Sequence, residues 1–157
     1  MCAGGYPFTF APHSVAKLVS QAWQGLASVY PEKTLTVTGD AVIRCDGKWL
    51  GEAFANLLKN ACEHTPANGT VTVQMEATDT VFFCTVSDNG GGVAPSELPR
   101  LFERFYRAQS RESKGAGIGL AIVQEIIQRH HGGIYARNIP GGLCMHITIP
   151  RLNLTES

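Results

Sequence analysis

Apolar residues recur at helical spacing in three long stretches of the chain. Residues 12–30 carry a broad apolar stripe that Pro31 ends, and residues 48–64 place their leucines on one face. Residues 117–131 contain isoleucines about one turn apart. These patterns predict three long helices, each with one buried face, and a short helix is predicted near residues 96–101.

Strand-like segments, with alternating or continuous apolar residues, fill most of the remaining chain. They are residues 6–10, 34–38, 41–45, 71–77, 81–87, 134–138 and 143–149. Neighbouring strands without a helix between them suggest hairpins. The order of elements predicts an α+β fold, a two-layer α/β sandwich in which a mixed, mostly antiparallel sheet carries three long helices on one face.

The length of 157 residues is sufficient for one domain with its own core. We expect this domain at residues 7–150, between a linker or terminal stump at 1–6 and a C-terminal tail at 151–157. The 13 basic and 13 acidic residues give no net charge, which argues against nucleic acid as a partner. No apolar run approaches the roughly 20 residues of a membrane helix, and the first residues lack the pattern of a secretory signal.

The five cysteines are widely spaced and form no CxxC pair, which argues against a disulfide framework or a zinc site. Cys84 and Cys144 lie in apolar strand-like segments and are predicted to be small core residues. These features favour a reduced, cytoplasmic compartment.

One face of the second predicted helix is polar. Glu52, Asn56, Asn60 and Glu63 share this face, opposite the leucines. Asparagine is a mediocre helix former, and its carbonyl oxygen can bind Mg²⁺ without adding charge. The pattern indicates either a metal site or an ordinary solvated face.

Two glycine-rich segments are candidates for ligand contacts. Residues 88–92, Asp-Asn-Gly-Gly-Gly, follow a strand and form either a ligand loop or a simple turn. Residues 115–120, Gly-Ala-Gly-Ile-Gly-Leu, open the third helix, where free N–H groups and the helix dipole favour phosphate. Residues 100–114 carry a local excess of three positive charges, which suits either a triphosphate neighbour or a solvated loop.

The order of four motifs resembles that of bacterial sensor histidine kinases. Residues 56–61, Asn-Leu-Leu-Lys-Asn-Ala, resemble the N box, and residues 88–92 resemble the first glycine box. Residues 101–107, Leu-Phe-Glu-Arg-Phe-Tyr-Arg, resemble the F box, and residues 115–123 resemble the second glycine box. The resemblance covers about residues 7–150 and implies the Bergerat ATP-binding fold, with ATP and Mg²⁺ as ligands.

The resemblance implies a role for each matching residue. Asn60 would coordinate Mg²⁺, Asn56 would support the metal and phosphates, and Asp88 would read the adenine amino group. The other implied contacts are Gly90 and Gly92 at the base, Arg107 at the terminal phosphate, and Gly115, Gly117, Gly119 and Leu120 around the phosphates. Residues 108–114, between Arg107 and Gly115, would form a lid. Phe102 and Phe105 would anchor this lid and dock the helical domain. The implied catalytic residues are Asn60, Arg107 and Asn56.

Three positions bear on the activity that the resemblance implies. Glu63 stands where a lysine is common and would repel phosphate unless it points away; His64 stands where an aromatic residue is common and could pack against adenine. Asn56 stands where related ATPases and anti-sigma serine kinases carry a glutamate base, and an amide cannot take a proton. Transfer to a neutral imidazole needs positioning more than a base, which favours a histidine kinase.

The acceptor histidine is expected outside this chain. His13 is not followed by an acidic residue, and His130 and His131 are predicted to decorate the end of the third helix. The isolated domain would bind ATP without autophosphorylating, and its partners would be dimerisation helices and, indirectly, a response regulator. It would be the cytoplasmic portion of a membrane-anchored sensor, touching membrane only through other segments. The alternatives are a degenerate nucleotide-binding or docking module and an anti-sigma-type serine kinase.

Overall fold

The computed structural model describes residues 7–104, 106 and 119–151. Along these residues the elements are β1 (Ala11–Ser14), α1 (Val15–Ala27), β2 (Thr34–Thr38), β3 (Val42–Cys45), α2 (Gly47–His64), β4 (Thr70–Ala77), β5 (Val81–Asp88), a 3₁₀ helix (Pro95–Arg100), α3 (Gly119–Arg129), β6 (Gly133–Ile139) and β7 (Gly142–Pro150). None of these helices combines the length and the apolar character needed to cross a membrane.

Five strands form the main sheet, in the order β2-β4-β5-β7-β6. β2 and β4 run parallel, and the other neighbours are antiparallel. Helix α2 lies between α1 and α3 and packs on β4 and β5. Val73, Phe82 and Ile147 are buried on the covered face, whereas Phe83 and Tyr135 on the other face are 43% and 55% exposed. The predicted two-layer sandwich with helices on one face is confirmed.

Strands β2 and β3 do not form the hairpin that their proximity in sequence suggested. β3 pairs with β1 in a separate two-stranded antiparallel sheet, while β2 joins the main sheet. The turn between them is tied to the start of α1. The carboxylate of Asp40 accepts hydrogen bonds from the hydroxyl of Ser14 and the backbone N–H of Ala16, both over 2.9 Å. These bonds direct the chain away from β2.

The first strand and the first helix both begin later than predicted. The sequence predicted a strand at residues 6–10 and a helix from residue 12, but the strand is Ala11–Ser14 and α1 begins at Val15. Ser14 sets this boundary because its hydroxyl accepts a hydrogen bond from the N–H of Lys17. The apolar stripe extends further toward the N-terminus, but the capping side chain determines where the helix begins.

His130 does not decorate the surface of the helix end, which corrects the prediction. It is 3% exposed, and Phe10 stacks on its ring with the centroids 5.2 Å apart. The neighbouring His131 is exposed, with a φ of 64°, the left-handed conformation common at helix ends. The prediction fails for His130 because residues 7–10 cover the end of α3. Cys84 and Cys144 are buried, as predicted.

Candidate nucleotide-binding site

Helix α2 turns the amide of Asn56 toward the start of α3. Nδ2 of Asn56 donates a hydrogen bond to the carbonyl oxygen of Glu52 over 2.9 Å. The amide atom that faces α3 is therefore Oδ1, which can accept a hydrogen bond. A Cβ atom at Gly119, the first residue of α3, would lie 3.1 Å from that oxygen. The N box and the last glycine of the second glycine box therefore face each other.

Asn60 lies one turn beyond Asn56 and is half-buried. Its side chain makes no hydrogen bond with the described residues, so its amide oxygen is available to a ligand. Across the same part of the chain, no group of three or more His, Cys, Asp and Glu side chains is arranged to hold a metal ion.

Asp88 ends β5 and is 8% exposed. Its Oδ1 accepts hydrogen bonds from the backbone N–H of Gly90 over 3.0 Å and of Leu143 over 3.4 Å. The second bond comes from β7, the neighbour of β5 in the sheet. These bonds fix the orientation of a buried carboxylate, which is suited to accept a hydrogen bond from an amino group of a ligand.

The loop after Asp88 passes close to the β6–β7 hairpin. Gly91 has a φ of 78°, and its N–H donates to the carbonyl oxygen of Gly141 over 3.0 Å. A Cβ atom at Gly92 would overlap Oδ1 of Asn138, and one at Gly142 would overlap the carbonyl oxygen of Asp88. Glycine is therefore required on both sides of this contact.

Glu63 lies in the last turn of α2 and is half-buried. Its negative charge adds to the effect of burial in raising the pKa of Tyr30, which follows α1. Asn56, seven residues earlier and therefore on nearly the same side of the helix, faces the start of α3. At the same end of α2, Nζ of Lys33 donates hydrogen bonds to the carbonyl oxygens of Thr65 and Pro66. This end of the helix thus carries a cation that the motifs did not indicate.

The remaining predicted residues are only partly within the described chain. Gly119 and Leu120 are half-buried in the first turn of α3, His64 is half-buried in the last turn of α2, and Phe102 is buried. Phe105, Arg107, Gly115, Gly117 and the rest of the predicted lid lie outside the described residues.

Sequence reasoning missed two groups of residues beside the motifs. The hydroxyl of Tyr106 donates to Oε1 of Glu97 over 2.7 Å, and the guanidinium of Arg100 lies 4.4 Å from the ring centroid of Tyr106.

Asn138 was missed as well, although it interrupts the inward-facing apolar row of β6 formed by Ile134 and Ala136. That interruption is a signal which strand periodicity alone could have revealed.

Residues 45–153 match the family of histidine kinase-, DNA gyrase B-, and HSP90-like ATPases, and the chain belongs to that family. The match extends from the end of β3 to beyond β7 and includes all four motifs. It establishes the class that the resemblance implied.

Similar proteins within this class are sensor kinases. The sensor protein SphS of Synechococcus elongatus is 37% identical over 120 residues, which are 69% of this chain and 29% of SphS. The structure of the mycobacterial sensor histidine kinase MprB aligns with a TM-score of 0.83 and 28% identity, covering 89% of this chain and 97% of that one. Full-length ShkA in complex with AMPPNP aligns with a TM-score of 0.78 and 26% identity, covering 94% of this chain and 32% of ShkA. The chain therefore spans less than a third of SphS and about a third of ShkA.

Proposed function

We propose that this chain is the ATP-binding catalytic domain of a sensor histidine kinase. It transfers the γ-phosphate of ATP to a histidine on a dimerisation helical domain outside the chain. The observation that most supports this proposal is the buried carboxylate of Asp88. Gly90 and Leu143 hold it beside a glycine loop, in a chain that belongs to this ATPase family. The bound AMPPNP in the similar protein ShkA supports an adenine nucleotide as the ligand.

Asp88 accepts a hydrogen bond from the adenine amino group, while Gly90 and Gly92 let the backbone approach the base. His64 packs against the base from the end of α2. Asn60 would supply one neutral oxygen to Mg²⁺, a cation that usually keeps few protein ligands. Mg²⁺, when bound, neutralises phosphate charge. The available amide of Asn60 and the lack of an acidic cluster among the described residues suit this arrangement.

Phosphate contacts come from the start of α3 and from the segment before it. The backbone around Gly119 and Leu120 presents N–H groups at a helix start, and the motif resemblance implies that Gly115 and Gly117 would also contact the phosphates. The motif resemblance assigns Arg107 to the terminal phosphate and residues 108–114 to a lid, and these residues lie outside the described part of the chain.

Histidine is favoured over water or serine as the acceptor because of Asn56. This amide donates to Glu52 and cannot remove a proton from an attacking hydroxyl. A neutral imidazole attacks without a base if it is held in line with the γ-phosphate. The helical domain that carries it, and indirectly a response regulator, are the partners of this cytoplasmic domain, which extends over residues 7–150.

The first test is a calorimetric titration with a non-hydrolysable ATP analogue, with and without Mg²⁺. One Mg²⁺-sensitive site is expected, and no binding would contradict the proposal. The second test adds ATP and the separately produced helical hairpin of the full-length protein. Transfer to its histidine should give an acid-labile phosphoramidate, and a His→Gln hairpin should remain unlabelled. Binding without transfer would support the docking module, and an acid-stable phosphoserine on an anti-anti-sigma protein would support the serine kinase.

A further inference from the structure

Asn138 is a polar residue in an apolar row. It lies on β6 opposite Leu143 of β7, on the face of the sheet that the helices cover. Its neighbours on that face are Ile134 and Ala136, while Tyr135 and Arg137 point to the exposed face. A half-buried amide in this row needs hydrogen-bond partners, because an unsatisfied one would be costly.

Both partners of Asn138 belong to a single residue, Val93. The backbone N–H of Val93 donates to Oδ1 of Asn138 over 2.9 Å, and Nδ2 of Asn138 donates to the carbonyl oxygen of Val93 over 2.8 Å. The side-chain amide thus pairs with the backbone as a neighbouring strand would. A primary amide is suited to this because it offers a donor and an acceptor in one plane.

Val93 is the residue at which the glycine loop after Asp88 returns to the core, where its side chain is 6% exposed. The β6–β7 hairpin holds this loop at three points. Leu143 holds Asp88, Gly141 holds Gly91, and Asn138 holds Val93. Because a Cβ at Gly92 would overlap Oδ1 of Asn138, the loop runs directly against this side chain.

We propose that Asn138 is a positioning residue for recognition of the nucleotide base, an inference that rests on the proposed function. It holds residues 89–93 in the conformation in which Asp88 and the glycine backbone shape the base pocket. Without it, Asp88 stays bonded to Gly90 and Leu143 and the sheet still forms. The loop then occupies competent conformations for only part of the time, and the apparent affinity for nucleotide falls by that fraction.

The test compares the Asn138→Ala and Asn138→Asp variants with the wild-type chain in calorimetric titrations with a non-hydrolysable ATP analogue and Mg²⁺. Asn138→Ala should weaken binding about tenfold, the loss expected for roughly one net hydrogen bond to a positioned loop. Arg137→Ala, on the exposed face of the same strand, is the matched control and should bind like the wild type.

Asn138→Asp separates positioning from a general structural role. At about pH 7 its carboxylate would face the carbonyl oxygen of Val93 and repel it. Half-burial and the facing carbonyl oxygen disfavour the charged form, so the pKa of this carboxyl should rise above its ordinary value of about 3.9, and a growing fraction should be protonated as the pH falls to about 5. A protonated carboxyl group has one donor and one acceptor and can restore both bonds. The affinity ratio of this variant to the wild type should therefore recover on acidification, while that of Asn138→Ala stays constant. Taking the ratio cancels effects of pH that the variant and the wild type share.

The outcomes are distinguishable. If the wild type binds and Asn138→Ala binds equally well, the inference about Asn138 is wrong while the proposed function stands. The inference is also wrong if Asn138→Ala and Asn138→Asp lose the same affinity at every pH and this loss parallels a lower melting temperature. If the wild type itself does not bind nucleotide, the proposed function fails, and this inference fails with it.

Discussion

Asp46 and His130 form a buried hydrogen bond between the start of α2 and the end of α3, 84 positions apart in the chain. The backbone N–H of Asp46 donates to Nε2 of His130 over 3.0 Å. Nε2 must therefore be unprotonated, which places the proton on Nδ1, 2.8 Å from the carbonyl oxygen of Ile126. Both ring nitrogens are satisfied only in the neutral imidazole, and a proton on Nε2 would oppose the N–H of Asp46.

Stability should fall as the pH drops below the ordinary histidine pKa of 6.5. Burial lowers the pKa of His130 in the folded chain, so the unfolded chain binds the proton more readily. The stabilising contribution is complete above the unfolded pKa and is lost as the pH falls through the folded pKa. We expect urea unfolding between about pH 5 and 8 to show this loss.

His130→Phe keeps a ring against Phe10 and removes the titration. This variant should be less stable at neutral pH, and its free energy of unfolding should depend less on pH than that of the wild type. His131→Asn is the control, since asparagine tolerates the left-handed conformation at this exposed position. A pH profile of His130→Phe equal to that of the wild type would assign the acid sensitivity elsewhere, for example to His146, whose pKa burial also lowers.

Asp88→Asn should weaken nucleotide binding by about 10- to 100-fold, the loss expected for a hydrogen bond to a charged group. An asparagine oxygen can still accept from Gly90 and Leu143, so the melting temperature should change little. Asp46→Ala is the contrasting variant, because Asp46 is buried but caps α2. It should cost about 0.5–2 kcal/mol of stability and leave affinity nearly unchanged. A collapse of stability in Asp88→Asn would show that Asp88 is structural.

Asn60→Ala should abolish the Mg²⁺-dependent part of nucleotide binding, because it removes the amide oxygen assigned to the cation. Titrations with and without Mg²⁺ measure this difference directly. Asn68→Ala, at an exposed position in the loop after α2, should behave like the wild type. An unchanged Mg²⁺ dependence in Asn60→Ala would mean that the N-box assignment is wrong.

Asn56→Glu should raise the rate of ATP hydrolysis by placing a general base where the wild type has an amide. Positioned general bases increase reaction rates by about 10²- to 10⁴-fold. Because the wild type should hydrolyse ATP slowly, the increase in phosphate release should be easy to measure. Asn56→Gln lengthens the side chain without adding a base and should not increase the rate. Equal rates in the two variants would show that water does not reach this position.

The sequence predicted the elements better than their pairing. Helix α2 starts within one residue of its predicted position, because an apolar stripe and the Asp46 cap coincide. The pairing of β2 with β4 was not predictable from local pattern, since Asp40 redirects the chain toward α1. The motif residues are contiguous and could be found directly. Asn138 could not be assigned a role, because its partner Val93 lies 45 positions away.

The attachment of the glycine loop to the β6–β7 hairpin has a consequence for synthesis on the ribosome. The chain emerges from its N-terminus, so all four motifs are made before Asn138, Gly141 and Leu143 appear. A nascent chain that ends at residue 137 therefore has the N box and both glycine boxes but none of the three contacts that hold the loop. The loop is therefore fastened only after the final hairpin leaves the exit tunnel, and we expect nucleotide to stabilise the domain mainly from that point on.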